Sequence, residues 1–491
     1  MLLFVLLAGT ALLISLGTFR SPLSNTPTSR RLAAPTDAPG HRRITLLSTD
    51  FHIGPIADLK SIIRRHPELG VDIVDLSLSG ACGSVGTCAT PDSLKVLRAG
   101  FVNESLYVSS DTKLAFFDAY RKPTDKWPGS KLVVNGAAID AVICSHPVGA
   151  CELYMPFGVP LILWSTTRFE QGREHDKDKL ANLVRNVRAI AGRDGNSVLA
   201  NNLYDAAYMN YFTGLSPVYA PSVCAYPRAR YSWRPFLRNL QLSPGAQSKN
   251  RPVRMLIPVF GYRPGLSQGT TDEYLEPLND LVRARRLQFR FRGAHEAFAD
   301  KPYEYSELAS HAAVLHLPYQ VSVMSFFEHY RMGIPIFAPS LELLTRWQMS
   351  YLFLSEKGWA FLRPSLVSRH KNSNHTLDPN DDLSYGAISH WLELADFYHF
   401  PHLILFDSWA DLVEKLAVAQ FHEISEKMIE FAKALESQTV VKWVTVFDKV
   451  REFWEDDKGL APQKQSQALS VRGDYSSRMD AFYGAGKWVL Y

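Results

Sequence analysis

A strand, a turn and a helix occur in the same order twice in this chain, once from residue 43 and again from residue 253, and a linker separates the two. Arg43-Ile-Thr-Leu-Leu-Ser-Thr49 predicts a strand, Asp50-Phe-His-Ile-Gly-Pro55 a turn, and Ile56 to Arg65 an amphipathic helix. After the polar, glycine- and proline-bearing stretch Leu242-Ser-Pro-Gly-Ala-Gln-Ser-Lys-Asn250, the pattern restarts. Val253 to Phe260 predicts a strand, Gly261 to Gly265 a turn, Asp272 to Arg285 a helix and Gln288 to Arg292 another strand. Further strands are expected at Val71–Leu78, Ala138–Cys144, Val159–Trp164 and Ser197–Asn201, with a charged helix over 175–192. Their spacing leaves room for crossover connections, which predicts two doubly wound α/β domains. At 491 residues the chain is too long for one core, and 46% hydrophobic with 21% charged content is that of a globular protein.

The expected layout is a membrane or signal segment over 1–19, a flexible stem over 20–42, a first domain over 43–230 and a linker over 231–252. A second domain over 253–440, a crossover helix over 441–457 and an irregular tail over 458–491 complete it. Residues 1–19 carry no charged side chain and are rich in Leu, Val, Phe and Ala, near the lower length limit for crossing a bilayer. No basic residue precedes the apolar run, which favours an uncleaved anchor over a cleaved signal peptide and predicts a type II protein of the Golgi or endoplasmic reticulum membrane, with secretion as the alternative. The sequons at Asn103 and Asn374 fit a lumenal chain. So do five cysteines confined to the first half, which predict two local disulfides with Cys82–Cys88 foremost. Net charge is only +4 and the basic residues form no stripe, so a nucleic-acid polymer is excluded as a partner.

The segment from Leu315 to Ala338 carries the chemistry. Ala312–Leu317 and Ile334–Ala338 read as buried strands, and Ser325–Met332 between them reads as a helix with Glu328 near its start. Open parallel sheets bind ligands at their carboxyl edge, where a carboxylate can accept two hydrogen bonds from a ribose diol. A helix N-terminus with hydroxyls such as Ser322 and Ser325 can hold phosphate oxygens. Glu328, Gly333 and Pro335 reproduce a spacing of glutamate, four residues, glycine, one residue, proline. In this the chain resembles the GT-B superfamily of glycosyltransferases. The resemblance is carried by about 25 residues and extends loosely over residues 43 to 456.

That resemblance implies two Rossmann-like domains facing a cleft, a nucleoside-diphosphate sugar donor such as a UDP- or GDP-sugar, and a glycan, lipid or protein acceptor. It implies that Gly261 and Arg263 meet the donor diphosphate, that Glu328 holds the ribose, and that the terminal helix crosses back onto the first domain. Tyr319, Ser322, Ser325 and Gly333 complete the predicted donor site. Many retaining members place a second glutamate eight positions before the first; here that position is Gln320. For the base that activates the acceptor, strand ends of the first domain offer Asp50, His52 and His146, in that order. The triplet Asp176-Lys-Asp178 opens a helix and reads as first-turn acids complementing its dipole, so no essential divalent metal is predicted. A sugar-nucleotide epimerase or hydrolase, and a lumenal binding protein without catalysis, are the alternatives.

Overall fold

The computed structural model describes residues 42–79, 82–89, 116–118, 121–124, 127–173, 176–232, 255–260, 271–298, 303–354, 357 and 368–459. The predicted anchor and stem, the Asn103 sequon, Gly261, Arg263 and the tail beyond 459 lie outside them. Among the described residues no helix is long and apolar enough to cross a membrane.

The chain is an α/β protein built on two open parallel sheets. The first takes β1 (Ile44–Ser48), β2 (Val71–Asp75), β6 (Ala141–Cys144), β7 (Leu161–Ser165), β8 (Ser197–Ala200) and β9 (Val218–Tyr219) in the order β2-β1-β6-β7-β8-β9. Every neighbouring pair is parallel. A small antiparallel sheet of β3 (Arg121–Thr124), β4 (Trp127–Val134) and β5 (Ala137–Ala138) precedes β6. The second parallel sheet takes β10 (Met255–Phe260), β11 (Phe289–Gly293), β12 (Val314–His316), β13 (Ile336–Pro339) and β14 (Ile404–Phe406) in the order β11-β10-β12-β13-β14. Parallel strands are covered on both faces, which is why β6, β7, β12 and β13 are continuous runs of buried residues.

The helices that cover these sheets are α1 (Ile53–Arg65), α2 (Cys82–Val85), α3 (Lys177–Ala191), α4 (Leu203–Thr213), α5 (Thr271–Ala284) and α6 (Ala294–Ala297). They continue with α7 (Tyr305–Leu308), α8 (Met324–Met332), α9 (Leu341–Tyr351), α10 (Tyr385–Leu392), α11 (Trp409–Val418) and α12 (Phe421–Gly459). Local chemistry sets several starts: Asp176 caps α3, Asn202 caps α4, Ser340 caps α9 and Ser408 caps α11, each accepting a first-turn amide. Disulfides join Cys82 to Cys88 and Cys144 to Cys151, both within a few residues of their partners, and Cys224 is a buried free thiol.

In each sheet the chain winds outward to one side and then to the other, so each has a switch point, between β1 and β6 in the first and between β10 and β12 in the second. The 39 residues of α12, about 58 Å of helix, tie the two units together. Its start lies on Gly333 at the end of α8. At its middle, Glu436 pairs with Arg65 of α1 (2.6 Å) and Arg331 of α8 (2.7 Å). Its far end reaches the first sheet, where Trp454 Nε1 donates to Asp140 O (2.9 Å) and Arg451 Nε to Arg42 O (3.0 Å). The crossover begins some way before residue 441, since Phe421–Gly459 is one helix.

Candidate functional site

The carboxyl edges of the two sheets face one another. Gln320, in the loop after β12, accepts from Arg168, in the loop after β7, at 2.9 Å. A Cβ built on Gly54 would stand 3.2 Å from Met324 Cγ, so the entry of α1 touches the entry of α8. Arg168 is buried, pairs with Asp205 at 3.5 Å and lies over the Tyr204 ring.

On the first wall, Asp50 spans the switch point. Its Oδ1 accepts the amides of Ser145 (2.7 Å) and His146 (2.9 Å) beyond β6, and its Oδ2 accepts the Ser48 hydroxyl (2.5 Å). Burial pushes its carboxyl up to about 6 while these donors pull it down. With both oxygens engaged and 3% exposure, Asp50 is a pin holding β1 to β6, a structural role beside its place among the candidate bases. Replacing it by alanine strands two amides and should cost about 2–3 kcal/mol of stability. A denaturant midpoint measures this; full stability with lost turnover would favour the base role.

His52 caps α1: its Nδ1 accepts the Gly54 amide at 3.1 Å, which leaves the proton of the neutral ring on Nε2. In that tautomer Nε2 donates and cannot take a proton. His146 stands beside it, with ring centroids 5.0 Å apart. Burial lowers His52 to about 4, and burial with His52 and Arg168 nearby holds His146 well below the ordinary imidazole range. Both rings are therefore neutral at pH 7 and half-buried, and the Gly54 amide fixes the tautomer of His52.

On the second wall, Glu328 is 5% exposed on α8, and its Oε1 accepts two phenols, Tyr226 and Tyr305, the latter at 3.0 Å. Burial pushes its carboxyl up to about 7, against the pull of the two phenols. Ser325 is half-buried in the first turn of α8 and Tyr319 half-buried in the loop after β12. Ser322 is buried and hydrogen-bonds Asp396. Gly333 stands apart from these: it closes α8 at φ 75°, and a Cβ there would lie 2.7 Å from both Ile429 Cγ1 and Ser425 Oγ of α12. Packing against α12 by itself requires a glycine at this place in the spacing.

At the second switch point lie two residues that the sequence reading omitted. His316 ends β12 and His329 sits on α8 against Phe260, the last residue of β10, with centroids 4.4 Å apart. Both rings are fully buried, and among the described residues none of their four nitrogens has a hydrogen-bond partner. Burial holds them at about 4 and about 3, so both are neutral. Unpaired buried nitrogens cost stability, which sets these two apart from core histidines such as His311, whose Nδ1 lies 3.1 Å from Glu307 O. Among the described residues no group of three or more His, Cys, Asp or Glu side chains forms a metal site.

No family model matches the chain and no curated protein matches it. Among solved structures, a candidate UDP-N-acetylglucosamine 2-epimerase from Listeria monocytogenes aligns at TM-score 0.35 and 9% identity, over 60% of this chain and 79% of that one. The glycosyltransferase SnogD from Streptomyces nogalater aligns at TM-score 0.34 and 12% identity, over 83% of this chain and all of that one (100%). The calicheamicin glycosyltransferase CalG4 aligns at TM-score 0.34 and 11% identity, over 86% of this chain and 100% of that one. TM-scores this low decide nothing by themselves.

Proposed function

We propose that the chain is a GT-B-like glycosyltransferase that moves a sugar from a nucleoside-diphosphate sugar, UDP- or GDP-linked, to a hydroxyl of a glycan, lipid or protein. One observation carries the reading: two parallel sheets meet carboxyl edge to carboxyl edge, and the helix entering the cleft from the second carries the buried Glu328. Crevices at switch points are where open α/β sheets bind nucleotides. The ribose diol exchanges with the phenols of Tyr226 and Tyr305 at Glu328, and the α8 N-terminus with Ser325 receives the diphosphate. Gly261 and Arg263 are the proposed further contacts to it. As the glycosidic bond to the diphosphate breaks, His146 takes the acceptor proton across the cleft. The charge-free apolar stretch 1–19 supports a secretory-lumen site for this chemistry, with the chain as a type II membrane protein or a secreted one.

The test is a thermal-shift screen of the chain against UDP, GDP and their sugar conjugates, since a ligand that binds only the folded state raises its midpoint. One nucleotide class should give a clear shift. Glu328→Ala should weaken that nucleotide roughly tenfold to a hundredfold, the loss of a charged hydrogen-bonding partner, with circular dichroism showing an intact fold. An unchanged donor constant with full activity would overturn the role of Glu328. No shift with any nucleotide would remove the transferase reading.

A further inference from the structure

Over the whole chain the basic residues are scattered, but Arg283, Arg285, Arg286, Arg290 and Arg292 stand close together with no lysine or carboxylate between them. They run from the last turn of α5 into β11, the edge strand of the second sheet. Arg286 makes the turn at φ 55°, a left-handed position that glycine takes at less cost. Arg292 is half-buried and the others are exposed. Two of them are already engaged: Arg283 pairs with Asp280 and, at 3.7 Å, with Glu276, while Arg285 pairs with Glu414 of α11 at 2.8 Å. Among the described residues Arg286, Arg290 and Arg292 have no ionic partner.

Charged side chains on an edge strand commonly keep other strands from pairing with it. On β11 that task is met by Asn279 of α5, which is itself buried. Its Oδ1 accepts the Phe291 amide at 2.8 Å and its Nδ2 donates to the Phe291 carbonyl at 3.1 Å, closing the middle of the outer edge. The arginines are not needed as guards. Phe289 and Phe291 face the core, so Arg290 and Arg292 share the opposite face, about 6.6 Å apart along the strand. β11 runs parallel to β10 and ends at the carboxyl edge of the sheet, so the track from Arg286 to Arg292 leads to the rim of the cleft.

A guanidinium forks onto the oxygens of an anionic group, and several in a row suit a polymer whose charges repeat. Nucleic acid and membrane fit this surface less well: the aromatic rings of the run are buried, so none is offered to a base, and no large apolar side chain is exposed to enter a bilayer. We propose that Arg286, Arg290 and Arg292 bind an acidic polysaccharide through its carboxylate or sulfate groups and lead its end into the cleft as the acceptor. The acceptor role rests on the transferase reading, whereas the binding does not.

The full chain is titrated at about 0.15 M ionic strength with labelled oligogalacturonate, which carries carboxylates, and with labelled dextran sulfate, which carries sulfates. Neutral dextran, a DNA duplex and phosphatidylserine vesicles serve as comparisons. At least one acidic polysaccharide should bind and neutral dextran should not. Combining Arg286→Gln, Arg290→Gln and Arg292→Gln should weaken that binding roughly tenfold or more and flatten its salt dependence, since three charged contacts are gone. Arg283→Gln with Arg285→Gln lowers the charge of the same surface but should change affinity less than about twofold, because those guanidiniums are held by carboxylates and a distant charge is screened. Equal losses in the two variants would reduce the effect to net charge and overturn the proposal. So would tighter binding of the DNA or the vesicles, or no binding of either polysaccharide. Thermal shifts with UDP and GDP should be the same in the triple variant and the native chain. A chain that binds polysaccharide through these arginines but no nucleotide keeps the surface and loses the transferase reading.

Discussion

Replacing Gly333 with valine should cost roughly 2–5 kcal/mol and loosen the long terminal helix from the second unit. Two costs add. At φ 75° the residue occupies the left-handed region, where a side chain costs about 1–2 kcal/mol, and the first side-chain carbon would stand 2.7 Å from Ile429 and Ser425. Overpacking between two helices that cannot both shift costs about 1–3 kcal/mol more. The strain has consequences beyond α8, because the same stretch of α12 leads to Glu436, which holds Arg65 and Arg331 from the two units at once. A large drop in the denaturant midpoint, with the 421–436 stretch losing protection from hydrogen exchange, is the expected result. If Gly333→Val instead kept its stability and lost only nucleotide binding, the glycine would belong to the donor site and not to the packing.

Much of the fold was legible because parallel strands are long apolar runs and their helices are amphipathic. Expected strands at Arg43–Thr49, Val159–Trp164 and Gln288–Arg292 appear within two residues as β1, β7 and β11. Helix α4 escaped notice for a physical reason: it is buried on nearly every face, so Leu203–Thr213 has no polar stripe to reveal its period. The hairpin over 121–138 and the two-residue β9 offer too little pattern to stand out. In the candidate site, Glu328 was found by spacing, but its partners Tyr226 and Tyr305 lie 102 and 23 residues away, and no local signal joins them. Asp50 carries a structural role that its sequence position hides. A carboxylate after a strand suggests a base, and only the register of β1 against β6 shows that two amides of the neighbouring loop already claim it.

Two buried carboxyls at the junction of the units should each make a contribution to stability that falls as pH rises from about 4.5 to about 7. Asp58 of α1 accepts the Val223 amide at 3.0 Å, and burial pushes it up to about 7 against the pull of the Val223 and Cys224 amides, Ser222 and Arg331. Glu328 of α8 stands at about 7 for the same reason, against Tyr226 and Tyr305. Between them runs the segment carrying Cys224, whose thiol burial raises, and both carboxylates raise it further. In the unfolded chain these carboxyls titrate near their ordinary 3.8 and 4.5, so above that range the folded state holds protons that the unfolded state has released. Their contribution is therefore complete at low pH and is lost as pH climbs through 7, at up to about 1.4 kcal/mol per pH unit for each group. The buried histidines His52, His316 and His329 act oppositely, destabilising as pH falls, and their effect fades only about one pH unit above 6.5, where the unfolded imidazoles are neutral too. The histidine effect is common to the native chain and to variants of the carboxyls, so the difference between them isolates the carboxyls. In denaturant midpoints taken from about pH 5 to 8, the native chain should lose ground stepwise relative to Asp58→Asn, Glu328→Gln and the double variant, since an amide has no proton to lose. A slope that persists unchanged in the double variant would place the titrating groups elsewhere.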